Sequence, residues 1–481
     1  MDRKLLRNYF YNILYQVVTI LAPMITVPYT TRVLGDMLGV NAFSGSVVQW
    51  FVIFGIMGIN NYGIKTVGAN RDDRALLSRT FRGIFFMQMC NMILALIVYL
   101  SYVAVSPLDY KVIYIIQALT IISIMFDISW FFMGVEDFKI NALRNILIKI
   151  VGVALIFLLV KKESDLWKFV LINGGVAVLG QMIMFLQLPK YIDRCHVSIG
   201  EAYREHFKDN LILFIPQVAT SVYNILDQTL VGLLAADWEA QSAYYQQAIR
   251  LVRMFLYFIT SIGAVIMPRI ANVYHKGDHK QVEAYLSVTM KLAFYLAIPI
   301  MFGTATVAPS LIPWFMDPHF AVVSKLIIVA CPVILLVSLS NVYGIQYLLP
   351  TGKMKEYSAS VVIGALVNLC ANIILIPKYG ALGACIAIVM AEASVTLSQI
   401  IFIRGKLKLE VKARTILLYF ADAVIMGAVV LFIGRMMGPR LLTNLVQVAS
   451  GAVIYLGILT LFKEEFHMDI LKKAQGLISR H

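Results

Sequence analysis

Long apolar runs recur along the whole chain, separated by short polar and basic stretches; Ile84–Ala104, Lys111–Met133, Ser358–Ile376 and Thr443–Phe462 are four of them. A bilayer core about 30 Å thick needs about 20 apolar residues per crossing helix, and these runs have that length. A crossing strand would instead show about ten residues alternating between apolar and polar. The runs are continuous, so the expected element is a helix, which also pairs its own backbone groups in hydrocarbon. About 14 candidate spans satisfy the length criterion. They begin near Tyr9, Asn41, Gly83, Lys111, Ile146, Leu166, Leu211, Tyr245, Tyr285, Ala321, Ser358, Ala381, Thr415 and Thr443. The fold class expected is an all-α polytopic membrane protein.

The polar interruptions organise the spans. The longest are Lys65–Arg82, Pro189–Asn210 and Asn272–Glu283, read as mixed-charge loops, and none is long enough for a soluble domain of ordinary size. Breaks at Pro189–Asn210 and Arg404–Arg414 divide the chain into residues 1–210 and 211–403, with six spans each, and 404–481, with two more spans and a tail. Two equal lobes are a common build for transporters that work around a central site. In the tail, Phe466, Ile470, Ala474 and Leu477 recur at helical spacing with Lys472 and Lys473 on the other side. That pattern fits a surface-lying amphipathic helix or a frayed end.

Composition agrees with the pattern: 60% of residues are hydrophobic, 14% are charged, and mean hydropathy is +0.79. The net charge of +14 matters less than its placement. With the N-terminus inside, most of the 41 Lys and Arg fall on the cytoplasmic side, in clusters such as Lys65/Arg71/Arg74/Arg79/Arg82 and Arg404/Lys406/Lys408/Lys412/Arg414. This positive-inside bias puts both termini in the cytoplasm, with Lys161/Lys162/Lys168 as the exception on the outer side. No basic segment is long enough to form a nucleic-acid-binding face. The five cysteines contain no C-x-x-C pair and read as small buried hydrophobes.

Enzyme signatures are missing from the sequence. Gly352-Lys353 is followed by Met354 and lacks the upstream glycine of a phosphate-binding loop, and no H-E-x-x-H or G-x-S-x-G occurs. His275 and His279 lie in a charged stretch without further ligands, so no metal site and no cofactor is expected.

The residues that carry information are ionisable groups inside apolar spans. Each costs at least a few kcal/mol at mid-bilayer and usually faces a cavity or a partner. The acids are Asp127, Asp227, Glu392 and Asp422; the bases are Arg250, Arg253 and Lys291, with Arg32, Arg144, Lys149 and Arg269 near span ends. The near-end group is expected to snorkel. Arg250 and Arg253 are three apart and share a helix face. Two readings stand for Asp227 and this pair: a wet cavity, or a structural ion pair. Pro23, Pro28, Pro216, Pro299 and Pro332, with Gly55 and Gly58, mark positions where spans kink.

The stretch Asn8-Tyr9…Asn12…Gln16…Pro23…Thr26…Pro28-Tyr29…Arg32-Val33-Leu34-Gly35…Gly39 resembles the opening of bacterial polysaccharide flippases. These are the Wzx-type lipid-linked oligosaccharide translocases of the multidrug/oligosaccharidyl-lipid/polysaccharide exporter superfamily. Further similar segments follow in order: Gly58-Ile59…Tyr62-Gly63…Ala69-Asn70-Arg71-Asp72, Asp127…Ser129-Trp130-Phe131-Phe132…Gly134…Glu136…Phe138-Lys139, Asp227 with Gly232, and Pro350-Thr351-Gly352-Lys353…Asn368…Asn372…Ile376-Pro377-Lys378-Tyr379-Gly380…Gly383-Ala384…Glu392. The resemblance covers about the first twelve spans by the length criterion; the last two match in hydrophobicity alone.

The resemblance implies two six-helix lobes around a central cavity that opens alternately inward and outward, plus two C-terminal helices. It also implies the substrate, an undecaprenyl-pyrophosphate-linked glycan, in the cell (inner or plasma) membrane of a bacterium. Polysaccharide polymerase and glycosyltransferases are the expected partners beside membrane lipids. In that setting Arg250 and Arg253, with Arg32 and Lys291, would form a cationic substrate-binding wall. Asp227, Asp127 and Glu392 would serve as counter-ions or couple transport to H+, Na+ or the membrane potential. Three alternatives stay open, one of them a purely structural membrane scaffold, against which the buried charges and prolines in several spans argue. An ion-coupled multidrug exporter of the same superfamily would favour an acidic cavity, and a membrane polysaccharide polymerase or glycosyltransferase would need larger outer loops.

Overall fold

The computed structural model describes the backbone of residues 3–193, 195–407 and 409–478; side chains of 3–17, 20, 212–213, 215–224, 257–258, 260–265, 268, 275, 474 and 476–478 lie outside that description. Among the motif residues named above, the side chains of Asn8, Tyr9, Asn12, Gln16, Pro216, His275, Ala474 and Leu477 are therefore outside it, as is Lys408 altogether. Every described element is helical. In chain order they are α1 (Arg3–Leu34), α2 (Met37–Ile56), α3 (Ile59–Asn70), α4 (Arg74–Val105), α5 (Lys111–Met125), α6 (Ser129–Gly134), α7 (Phe138–Leu159), α8 (Leu166–Phe185) and α9 (Ile199–Leu234). Then follow α10 (Trp238–His275), α11 (His279–Phe315), α12 (Val322–Ala330), α13 (Pro332–Ser340), α14 (Met354–Tyr379), α15 (Ala381–Ile403), α16 (Ala413–Met437), α17 (Leu441–Leu461) and α18 (Glu465–Ile478).

Among the described residues, ten helical segments are long and apolar enough to cross a membrane, and a further bent pair, Pro318–Ala330 with Pro332–Leu348, passes the same test with a 41° bend. Their outward surfaces are apolar: Leu158 is 68% exposed and Val453 71%, and similar residues line α4, α8, α14, α15 and α16. Water would penalise such surface heavily, whereas lipid does not. The protein is a multi-pass membrane protein.

The stretches read as long loops are mostly helix. α3 runs to Asn70 and α4 begins at Arg74, so Lys65–Arg82 contains only a short turn. Likewise α9 starts at Ile199, and only residues 276–278 separate α10 from α11. A helix leaving the bilayer keeps its internal hydrogen bonds, so polar residues extend it until a cap ends it. Asp73 Oδ1 caps α4 by accepting from the N–H groups of Ala75 and Leu76 at 2.9 and 3.0 Å, and Asp278 Oδ1 caps α11 through Gln281 N at 3.0 Å. Two of the three lysines expected on the outer side have partners. Lys161 Nζ donates to the Phe157 carbonyl at the end of α7, and Lys168 pairs with Asp165 at 2.7 Å.

By internal contacts the chain divides into two units: Met1–Leu233 with Trp238–Ala243, and Leu234–Asp237 with Tyr244–His481. The core of the first unit is an aromatic cluster around Trp130, Phe131 and Phe132, which pack on Phe81, Phe85 and Tyr191. In the second unit α14 and α15 run side by side, and α16 and α17 pack on α11. There the tail helix α18 lays Phe466 and Ile470 against the α11/α16/α17 core.

Candidate functional site

α10 is long enough to cross a bilayer at 38 residues, and it presents two different faces. Ala243, Tyr244, Gln247, Ala248, Ile249, Leu251 and Val252 are buried, whereas Gln246 and Arg253 are half-buried and Arg250 is exposed. Gln246, Arg250 and Arg253 follow at intervals of four and three residues, so they form one stripe. Among the described residues, neither arginine has a carboxylate within ion-pair distance. A guanidinium stripe on a bilayer-length helix cannot face hydrocarbon; it needs water or an anionic ligand. Arginine suits a phosphate ligand because its planar fork donates hydrogen bonds in pairs.

The other sequence-predicted residues fall in different settings. Arg32, near the end of α1, is exposed and donates from Nη1 to the Pro28 carbonyl at 3.1 Å. Lys291 is half-buried on α11, within electrostatic reach of Glu465 at the start of the tail helix. Asp227 is buried on α9 and interacts with its surroundings. Glu392 on α15 is half-buried, also engaged, and faces Tyr357 of α14.

Asp127 sits at the break between α5 and α6. Its Oδ1 accepts from Ser129 N at 2.8 Å and stands 4.0 Å from Arg144 Nη1. Arg144 does not snorkel. It is 8% exposed and donates to Gln181 of α8, because a half-buried carboxylate and a buried amide meet the guanidinium between the helices. Gln88 of α4 completes this corner: its Nε2 donates to the carbonyls of Ile124, Met125 and Asp127, and its Oε1 accepts from Trp130 Nε1 at 2.9 Å. The Ser129-Trp130-Phe131-Phe132 motif thus anchors a broken span.

Hydropathy alone does not single out the buried amides. Asn368 and Asn372 are wholly buried on α14, with Asn372 Nδ2 donating to Asn368 Oδ1 at 3.1 Å. Gln399 of α15 donates to Ser360 at 3.2 Å. Their signal was one polar residue per turn on one face of an otherwise apolar span. Among the described residues no group of three or more His, Cys, Asp or Glu is placed to hold a metal ion.

The chain is similar to known proteins. A protein named as an O-antigen transporter in Escherichia coli (strain K12) is 23% identical over 407 residues, spanning 83% of this chain and 96% of the relative. A solved structure titled lipid II flippase MurJ, inward closed conformation, superposes with a TM-score of 0.76 at 16% identity, covering 97% of this chain and all of that one. An inward-facing multidrug-resistance MATE transporter of the MOP superfamily matches with a TM-score of 0.61 at 12% identity, over 81% of this chain and 94% of its own. The two structural likenesses show that this chain shares its fold with those proteins. The model of one family, described as polysaccharide biosynthesis protein, matches residues 5–274, a span that includes both α10 arginines, and the chain belongs to that family.

Proposed function

We propose that the protein is a transporter, a flippase that moves an undecaprenyl-pyrophosphate-linked oligosaccharide from the inner to the outer leaflet of a bacterial inner membrane by alternating access. The cargo would be a capsule, surface-polysaccharide or teichoic-acid unit. Family membership, the name of the E. coli relative and the fold shared with a lipid II flippase all support this reading. We read the bent pair and the long helices α1, α9 and α10 as crossings beside the ten apolar segments, which gives about 14, and the positive-inside rule favours cytoplasmic ends.

The single observation that carries the chemistry is the arginine stripe of α10, exposed at Arg250 and half-buried at Arg253. A pyrophosphate headgroup brings about two negative charges into the membrane, and their burial without compensation is prohibitive. Arg250 and Arg253 compensate them, with Arg32 and Lys291 as further candidates. Asp227, Asp127 and Glu392 balance those charges or bind a coupling H+ or Na+. Two charges crossing outward through an inside-negative potential of 100 mV gain roughly 4.6 kcal/mol. ATP is then unnecessary.

The test is flipping of a labelled lipid-pyrophosphate glycan in proteoliposomes. Arg250→Ala and Arg253→Ala should lose transport while inserting and folding normally, and the lysine variants should recover only part of it, since an ammonium cannot donate as a fork. Wild-type rates in both alanine variants would remove the pair from the site.

A further inference from the structure

One buried acid takes no part in anything described so far. Asp422 stands in the middle of α16 with 1% of its surface exposed, and neither carboxyl oxygen has a hydrogen-bond partner among the described residues. It lies on the buried stripe Tyr419, Asp422, Ala423, Met426 and Val430, the side of α16 that packs on α11 and α17; Val424 and Ile425 take the lipid side. The seam is closely packed, since a Cβ on Gly427 would come within 3.1 Å of Thr306 Cγ2. No basic side chain stands within ion-pair distance of Asp422 among the described residues. An unpaired carboxylate in such a place is too costly to persist, so the carboxyl is a neutral acid.

The titratable groups around it come from every element of the seam: Tyr295 of α11, Tyr419 of α16 itself, Tyr455 of α17, and Glu464 and His467 at the start of the tail. They are connected. Tyr455 lies within electrostatic reach of Asp422 and donates its hydroxyl to the Tyr295 carbonyl at 3.0 Å. Tyr295 Oη lies 3.0 Å from His467 Nδ1, and His467 Nε2 lies 2.9 Å from Thr460 Oγ1. Thr460 gives its own hydrogen to the Leu456 carbonyl at 2.7 Å, so His467 Nε2 carries the ring hydrogen and Nδ1 accepts from Tyr295. The backbone N–H of His467 donates to Glu464 Oε2 at 2.7 Å, beside the exposed Lys412–Glu465 pair. Lys291, one turn from Tyr295, lies within electrostatic reach of Glu465.

We propose that Asp422 is a proton-binding site: the acid holds its proton while α16 is seated on α11 and α17, and yields it to water when the helix shifts and the carboxyl becomes wet. On release the carboxyl O–H bond breaks, the proton passes to water, and a carboxylate remains; reseating reverses the step. A carboxyl suits this role because it is neutral in a dry seam and anionic in a wet one. Helix displacement is thereby tied to proton uptake and release.

Infrared spectroscopy of the purified protein in lipid tests the first half. The difference between wild type and Asp422→Asn at neutral pH should contain a protonated-carboxyl C=O band that shifts in D2O, and Asp422→Leu should lose the same band. A difference spectrum showing only carboxylate at this position would overturn the proposal. Proteoliposome flipping across a pH series tests the second half. The wild-type rate should vary with pH, and the Asp422→Asn rate, in a protein that still folds because no charge is removed, should lose that variation. Identical pH profiles would show that the site is not coupled to transport.

Discussion

A methyl group on Gly39 would place its carbon 1.7 Å from the Glu239 carbonyl oxygen in the first turn of α10. That close backbone approach explains the second glycine of the Arg32-Val33-Leu34-Gly35…Gly39 segment. The first, Gly35, adopts φ +50° where α1 ends. Gly39→Ala should therefore destabilise the folded protein by about 2 kcal/mol or more, since neither backbone can yield without moving a helix. Thermal unfolding in detergent measures this, and an unchanged midpoint would show that the helices part easily. Residue identity alone flagged Asp127 and Arg144 as costly charges. That they meet each other and Gln181 required residues far apart in sequence to be brought together.

Among the elements, the span read as continuous from Lys111 to Met133 is broken into α5 and α6. The break exposes the carbonyls of Ile124, Met125 and Asp127, and Gln88 supplies donors to all three from another helix. Gln88→Leu should cost about 1–3 kcal/mol, because buried acceptors lose their donors without gaining water. Trp130 fluorescence should shift as well, since its indole N–H loses its acceptor. Retained stability and an unchanged spectrum would mean that another donor replaces the amide. Hydropathy cannot locate such a break, because both halves remain apolar. The tail shows the converse: its helical periodicity was legible in the sequence. The surface receiving Phe466 and Ile470 was not, since it is built by α11, α16 and α17.

At the scale of the whole molecule, the flipping reaction is expected to follow the membrane potential. Imposing an inside-negative potential on oriented proteoliposomes should speed outward movement of the pyrophosphate lipid, and collapsing it together with ion gradients should slow it. A rate indifferent to both would remove potential and gradients as an obligatory drive.

The sequence by itself determined that the chain is helical, crosses a membrane many times and carries a few charges inside it. Each of these follows from local composition and from the cost of unpaired polar groups in hydrocarbon. Its ordered motifs also pointed to the family. Tertiary structure decided what each internal charge meets. Arg144 is held by Asp127 and Gln181, the α10 arginines remain without a carboxylate among the described residues, and Asp422 is buried with no hydrogen-bond partner among them. The reason is physical: the energy of a charge depends on the atoms within a few ångströms of it, and in a helical membrane protein most of those atoms belong to other helices.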